Sequence, residues 1–571
     1  MVIIWDKTGE AMIKGKLFDK IAVICIVIAL IAASFCTYSF YQTRETETSG
    51  VAKDYEASLF DDTKVMSVNI RMDEKNWNEM LENATKEEYY SCDVEINGTT
   101  YKNVGIRPKG NTSLTQIASD DTTDRYSFKL DFDKYVSGQT CEGLDTLILN
   151  NIMSDATYMK EYLSYDLLRF IGVDASLTAF SDIKVNGENW GLYLAIEGVE
   201  QSFAERNFGT GFGQLYKPES ERLRGDRAGK EEQQSSGGAD LAYNGDDSSE
   251  YSDIFDNAVF KNVSDEDENA VIEALKNLNE GTNLEEYIDV DEVLRYIAGN
   301  VTLVNLDSYF GTMLHNYYLY EQDGKLSMIP WDYNLAFAGF QSNSASDAVN
   351  LPIDTVVSGA NLEERPMIAK LLAVDEYKEK YHSYLKKIVE EYFENGYFEQ
   401  KIEVVNQLIS SYVKNDATAF YTYDEYEKAV QTLKEFGLLR AESIKGQLDG
   451  SIPSIKEEQE TASGLLVDAS KIQIKDMGTQ GGDHKNNNLE EKMEPLEGKT
   501  DNTGNIGQEQ MKGNDRPMPP EGKHDGKNMT PPDMNPTSYS KTDFILIGGA
   551  VVILVIALIV IKFYKRRKYY S

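Results

Sequence analysis

Between positions 64 and 217, apolar and polar residues alternate in short runs. KVMSVNIRM, SCDVEING, TYKNVGIRPKG, YSFKLDF, TAFSDIKVNG and WGLYLAIE carry the two-residue period of half-buried strands. Asn97-Gly98 and Asn186-Gly187 sit in or beside these runs and predict tight hairpin turns, since both residue types tolerate positive φ. One stretch breaks the alternation. MKEYLSYDLLRFIG places apolar side chains at 159, 162, 163, 167, 168 and 171, one stripe of a helix. From 266 onward the period lengthens to that of helices, predicted over 267–279, 290–306, 366–394, 397–413 and 424–447. A strand-rich half with one helix, followed by a helical half, predicts a two-lobed α+β domain over 55–450.

Two longer apolar runs lie outside that region. Residues 21–41 and 544–561 are each close to the ~20 residues a helix needs to cross a bilayer. Lys7, Lys14, Lys16 and Lys20 precede the first run; Lys562, Lys565, Arg566, Arg567 and Lys568 follow the second. The positive-inside rule then places the basic segments 1–20 and 562–571 in the cytoplasm. The intervening chain is expected outside the cell membrane, extracytoplasmic and held by two transmembrane helices. The first run reads either as a signal anchor or as a cleaved signal peptide, because Ala32 and Ser34 form a small-x-small site. Residues 453–543 contain few large apolar side chains and several prolines, which predicts a disordered acidic linker. The polar stretch 219–250 predicts a mobile loop inside the domain.

Composition narrows the function classes. The 571-residue chain carries a net charge of −38. Such a surface repels nucleic acid, and it suits either plain solubility or contact with basic partners and cations. Cysteine numbers four, with no C-x-x-C pair, which excludes a zinc ribbon. Cys92 and Cys141 are the two in the domain, and the sequence leaves their pairing open. Four histidines supply a histidine-based hydrolase or metal site poorly, and no Walker A signature is present.

The chemistry concentrates in NLDSYFGTMLHNYYLYEQDGKLSMIPWDYNLAF, residues 305–337. Residues 316–322 alternate as a strand, Asp323-Gly324 makes a tight turn, and 325–331 return as a second strand. Counted outward from the turn, Gln322 faces Lys325 and Asn316 faces Trp331, so Asn316 and Asp332 meet at the open end. Asp307 lies just upstream, where a helix gives way to a loop. Two carboxylates and an amide are hard oxygen donors of the kind Mg²⁺ prefers. They also match the layout of a kinase catalytic loop followed by a metal-binding aspartate. On that plan Asp307 orients or deprotonates an acceptor hydroxyl, Asp332 holds the metal and Asn316 completes its shell. Read singly, Asp307 caps a helix end and Asp332 ends a strand.

A set of motifs in fixed order makes the chain resemble the CotH kinase family, the atypical protein kinases named after a spore-coat protein. The motifs are RPKGNTS at 107–113, SFKL at 127–130, KEYLSYDL at 160–167, VNGENWGLYLAIE at 185–197, LYK at 215–217 and PWDYN at 330–334. The resemblance spans roughly 65–450. It implies a kinase-like domain using ATP with Mg²⁺ or Mn²⁺. It further implies that Arg107, Lys109, Asn111 and Ser113 form a loop over the nucleotide phosphates. Lys129 would be the phosphate-binding lysine, Glu161 its ion-pair partner, Glu197 a residue of the adenine hinge and Lys217 a further phosphate contact. The sequence departs from ordinary kinases in lacking G-x-G-x-x-G and H-R-D, and in having Pro-Trp-Asp-Tyr-Asn where Asp-Phe-Gly would stand.

Two functions follow. One is transfer of the ATP γ-phosphate to Ser or Thr of Ser/Lys-rich surface or spore-coat proteins. The alternative is a non-catalytic scaffold for surface or coat assembly.

Overall fold

The computed structural model of the protein describes residues 2–5, 11–14, 50–220, 237–342 and 344–479. The chain divides into two units, Met1–Thr46 with Asn488–Ser571, and Glu47–Asn487. The described part of the first unit is an antiparallel hairpin of β1 (Val2–Trp5) and β2 (Ala11–Lys14).

In the second unit, seven strands close into a barrel. They are β3 (Met66–Arg71), β4 (Tyr90–Ile96), β5 (Thr99–Lys109), β6 (Ser127–Asp131), β7 (Thr146–Asn150), β8 (Thr178–Val185) and β9 (Glu188–Glu197), in the order β3-β4-β5-β6-β7-β9-β8. Neighbours pair antiparallel except at the closure, where β3 pairs in parallel with β8, Met66 opposite Ser181. Strand alternation sorts side chains between two cores. Phe128, Leu130, Leu147, Leu149, Tyr193 and Ala195 fill the barrel, while Ile148, Phe180, Leu192, Leu194 and Ile196 face outward into the helical core.

The helical half packs on that outward face. Its main helices are α2 (Asp265–Glu280), α3 (Val290–Thr302), α4 (Pro366–Leu372), α5 (Asp375–Ile388), α6 (Tyr397–Asn415) and α7 (Tyr423–Asp449). The earlier α1 (Lys160–Phe170) belongs to the same core through Tyr162, Leu163, Leu167 and Leu168. Ser264 with Asp267 and Thr422 with Glu425 form capping boxes that start α2 and α7, and Gly281 and Gly450 end them at positive φ. A three-stranded sheet, β10 (Gln214–Tyr216), β11 (Tyr317–Gln322) and β12 (Lys325–Pro330), lies against this half. The Gln322 to Lys325 register read from the sequence is the one observed.

Several expectations are corrected. The fold is not a two-lobed kinase between two membrane helices. The strands form a closed barrel without free edges, and barrel and helices make one compact unit. No helix among the described residues is long and apolar enough to cross a membrane. The runs 21–41 and 544–561, with the basic tail 562–571, lie outside the described residues. Helix 366–394 is interrupted at 373–374, and its end, Val389–Glu394, widens to a π-helix. Of the expected linker, 453–479 is described and places Ala469, Ile472 and Met477 in the main core, while 480–543 lie outside the described residues. The polar stretch 219–250 is likewise built in at its end. Ala239 and Leu241 are buried, while 221–236 lie outside the described residues. Cys92 and Cys141 are both free and buried.

Candidate active site

Three elements bring the site together: the loop after α3, the β11–β12 hairpin and the first turn of α1. The loop carries Asp307, which is 6% exposed. His315 Nε2 lies 2.7 Å from Asp307 Oδ1 and donates to it, since a carboxylate only accepts. Asn316 Nδ2 donates to the Asp307 backbone carbonyl at 2.8 Å and to Oδ2 at 3.1 Å. Both carboxylate oxygens are thereby fixed in direction.

Asp332 follows the end of β12, whose last pair is Pro330 with Tyr317, so Asn316 and Asp332 flank the same end of the hairpin. The Asp332 backbone N–H donates to the Tyr165 hydroxyl at 3.2 Å. Its Oδ1 is buried and has no hydrogen-bond partner among the described residues. A buried acceptor in that state is costly unless something else occupies it. Glu161, on α1, accepts from the Tyr333 N–H at 3.2 Å and from Asn150 Nδ2 at 2.7 Å. Burial, reinforced by the Asp332 charge and opposed by Lys109, pushes the Glu161 carboxyl up to about 8. Lys109 Nζ lies 5.6 Å from the ring centroid of Trp331, next to Asp332.

Strained backbone gathers along the same segment. Val304, Leu314, Asn316, Asp332, Phe337 and Ala338 all have φ between 48° and 65°. Left-handed φ is unfavourable for non-glycine residues, most of all for β-branched Val304, and such strain concentrates where a site needs a fixed geometry. Val304 also accounts for α3 ending at Thr302 rather than near 306.

Of the residues singled out in the sequence, Asp307 and Asn316 are hydrogen-bonded, and Glu161, Asp332 and Lys109 form one electrostatic group. The expected Lys129–Glu161 ion pair is corrected. Inward Phe128 and Leu130 turn Lys129 outward, where its Nζ meets Glu200 Oε1 at 2.6 Å. Glu197 is not an open hinge. It is fully buried, accepting from the Tyr55 hydroxyl, Arg206 Nε and Nη2, and the Leu177 N–H. Lys217 pairs with Glu219 at 2.6 Å and Arg107 with Glu87 at 3.0 Å. Asn111 precedes the helix Thr112–Ala118, which carries Ser113 in its first turn. Sequence reading missed His315, Asn150 and Tyr165 as partners of the site. The one available signal was the adjacency of His315 to Asn316.

Among the described residues, no three His, Cys, Asp or Glu side chains converge as a metal cage. The donor that suits a hard cation is the buried Asp332 Oδ1, the oxygen without a hydrogen-bond partner among the described residues.

Comparison with known proteins agrees with these motifs. The sequence pattern of the CotH kinase protein family matches residues 106–444, which takes in every residue named above from Arg107 to Asp332. The chain is 24% identical over 316 residues to inner spore coat protein H of Bacillus subtilis (strain 168), covering 54% of this chain and 80% of that protein. The expected cell-membrane location is corrected by the same comparison. The relative is named as a spore coat protein, and no described helix is long and apolar enough to span a bilayer.

Proposed function

The chain belongs to the CotH kinase protein family, and from that premise we propose that it is a protein kinase. It would move the ATP γ-phosphoryl group to Ser or Thr hydroxyls of a coat or surface protein. The observation that supports this most is that two differently prepared aspartates stand by one end of a hairpin, Asp307 through its bond to Asn316 and Asp332 just past the last strand pair. Asp307 is tied by His315 and Asn316, while Asp332 keeps one buried oxygen without a partner.

Bound ATP with Mg²⁺ or Mn²⁺ supplies the phosphoryl donor and neutralises its charge. The protein's part is positioning and electrostatics. Asp307 accepts a hydrogen bond from the acceptor hydroxyl and takes its proton. His315 and Asn316 hold the carboxylate in one orientation while it does so. Asp332 Oδ1 and the Asn316 amide are the donors that would hold the cation. Lys109, beside Trp331 and Asp332, is the cation best placed to face phosphate, with Glu161 behind it. Lys129 is already held by Glu200. A net charge of −38 favours basic, Ser/Lys-rich acceptors.

Thermal unfolding of the full chain with and without Mg-ATP tests the binding half of this reading. A rise in Tm for wild type that is lost in Asp332→Asn is expected. No rise in wild type would contradict it.

A further inference from the structure

The family match stops at 444, and the described chain beyond it, to 479, returns to the site. The extension is fastened along its length. Ser454 Oγ donates to Asp354 at 2.6 Å, and Lys456 N–H donates to Thr355 Oγ1 at 2.9 Å. Val467 exchanges two 3.0 Å bonds with the Asn350 side chain, through its N–H and its carbonyl. Asp476 pairs with Lys428 at 2.9 Å. Its end lies on the loop that leads into α1. Met477 O accepts from the Ala156 N–H at 3.1 Å, and Gly478 O accepts from Lys160 Nζ at 2.6 Å.

Lys160 is the first residue of α1 and the neighbour of Glu161, and it is fully buried. Its ammonium bonds to two backbone carbonyls, Ser154 at 3.4 Å and Gly478 at 2.6 Å, so the shorter bond comes from the extension. Its backbone N–H donates to Asp155 Oδ2 at 2.8 Å. A buried ammonium deprived of an acceptor must be rehoused or expelled, and either moves the first turn of α1. Gly478 is required at this contact. Its φ is +80°, and an added Cβ would lie 2.7 Å from Ser154 O and 2.8 Å from both Ala156 N and the Tyr421 hydroxyl.

We infer that the 451–479 extension is a strap that positions the active site, acting through the Gly478 carbonyl on Lys160, a positioning residue for Glu161. Its consequence for phosphoryl transfer rests on the kinase reading above. The coupling of strap to α1 does not.

The test uses the full chain as wild type, Gly478→Ala, Lys160→Met and Lys160→Arg. In Gly478→Ala, hydrogen exchange of the Ala156 amide and the first turn of α1 is expected to quicken about tenfold, with β3 to β9 unchanged. In Gly478→Ala and Lys160→Met, kcat is expected to fall about tenfold with KM for ATP within about threefold, and Lys160→Arg to keep most of the rate. Unchanged exchange in α1 would overturn the coupling. Faster exchange with wild-type kcat would overturn the positioning role. A wild type that transfers no phosphate would fail the kinase reading, and the exchange result would still decide the coupling.

Discussion

Asn316 donates its side-chain amide to both the backbone carbonyl and the carboxylate of Asp307, at 2.8 and 3.1 Å. One side chain thus fixes the aspartate at two points, from a left-handed backbone that asparagine tolerates better than most residues. Asn316→Ala is expected to lower kcat about 100-fold, the usual scale for losing a positioned donor. The cost in stability is expected to be about 1–3 kcal/mol. Steady-state kinetics beside urea unfolding would measure both.

His315 bonds the other oxygen of the same carboxylate. His315→Phe removes that donor and is expected to reduce kcat about tenfold or more while KM for ATP stays within about threefold, because the contact is to Asp307. His315→Gln keeps an N–H donor and is expected to retain more activity than the Phe variant.

Asp145 predicts a pH effect on stability. Burial, with the charge of Glu200, pushes its carboxyl up to about 7 from an ordinary 3.8, against hydrogen bonds from Ser202. Between those values the folded state keeps a proton that the unfolded state releases. The contribution is therefore full below 3.8 and is lost as pH rises through about 7. Asp145→Asn can still accept from Ser202 and has no proton to lose. It is expected to gain on the order of 2 kcal/mol over wild type near pH 8 and little near pH 4, measured by urea unfolding at both.

Arg125 and Asp416 join the barrel to the end of α6. Each side chain is 1% exposed, and they meet at 2.7 Å. Asp416 also accepts the Leu192 N–H at 2.9 Å. Asp416→Ala leaves a buried guanidinium without its carboxylate and is expected to cost about 3–5 kcal/mol. Gly191 makes room for this pair, since a Cβ there would fall 2.7 Å from Asp416 Oδ1. Gly191→Ala is expected to destabilise by a similar amount, and the double variant by less than the sum, as residues sharing one contact do.

Much of this architecture is written locally. Alternation in SFKLDF and WGLYLAIE marks real strands, and Asp323-Gly324 sets a hairpin register that places Asn316 and Asp332 at one end. Closure of the barrel is not written locally, because it depends on Met66 meeting Ser181 across more than a hundred residues. The same limit explains Lys129. Its strand is legible, but both glutamates are remote in sequence, and it is Glu200, the farther of the two, that the fold brings to its Nζ. Composition gave 453–479 a linker's appearance, although Ala469, Ile472 and Met477 suffice to fasten it to the core. His315 was passed over because a lone histidine carries no pattern. Only the fold of the loop brings it to Asp307.

The most direct test is transfer of labelled γ-phosphate from ATP by the purified full chain to a Ser/Lys-rich acceptor, with Mg²⁺ or Mn²⁺. Asp332→Asn serves as the matched control. The account predicts label in wild type that falls at least about 100-fold in the variant, at a melting temperature within a few degrees of wild type. No label in wild type, or equal label in both, would contradict it.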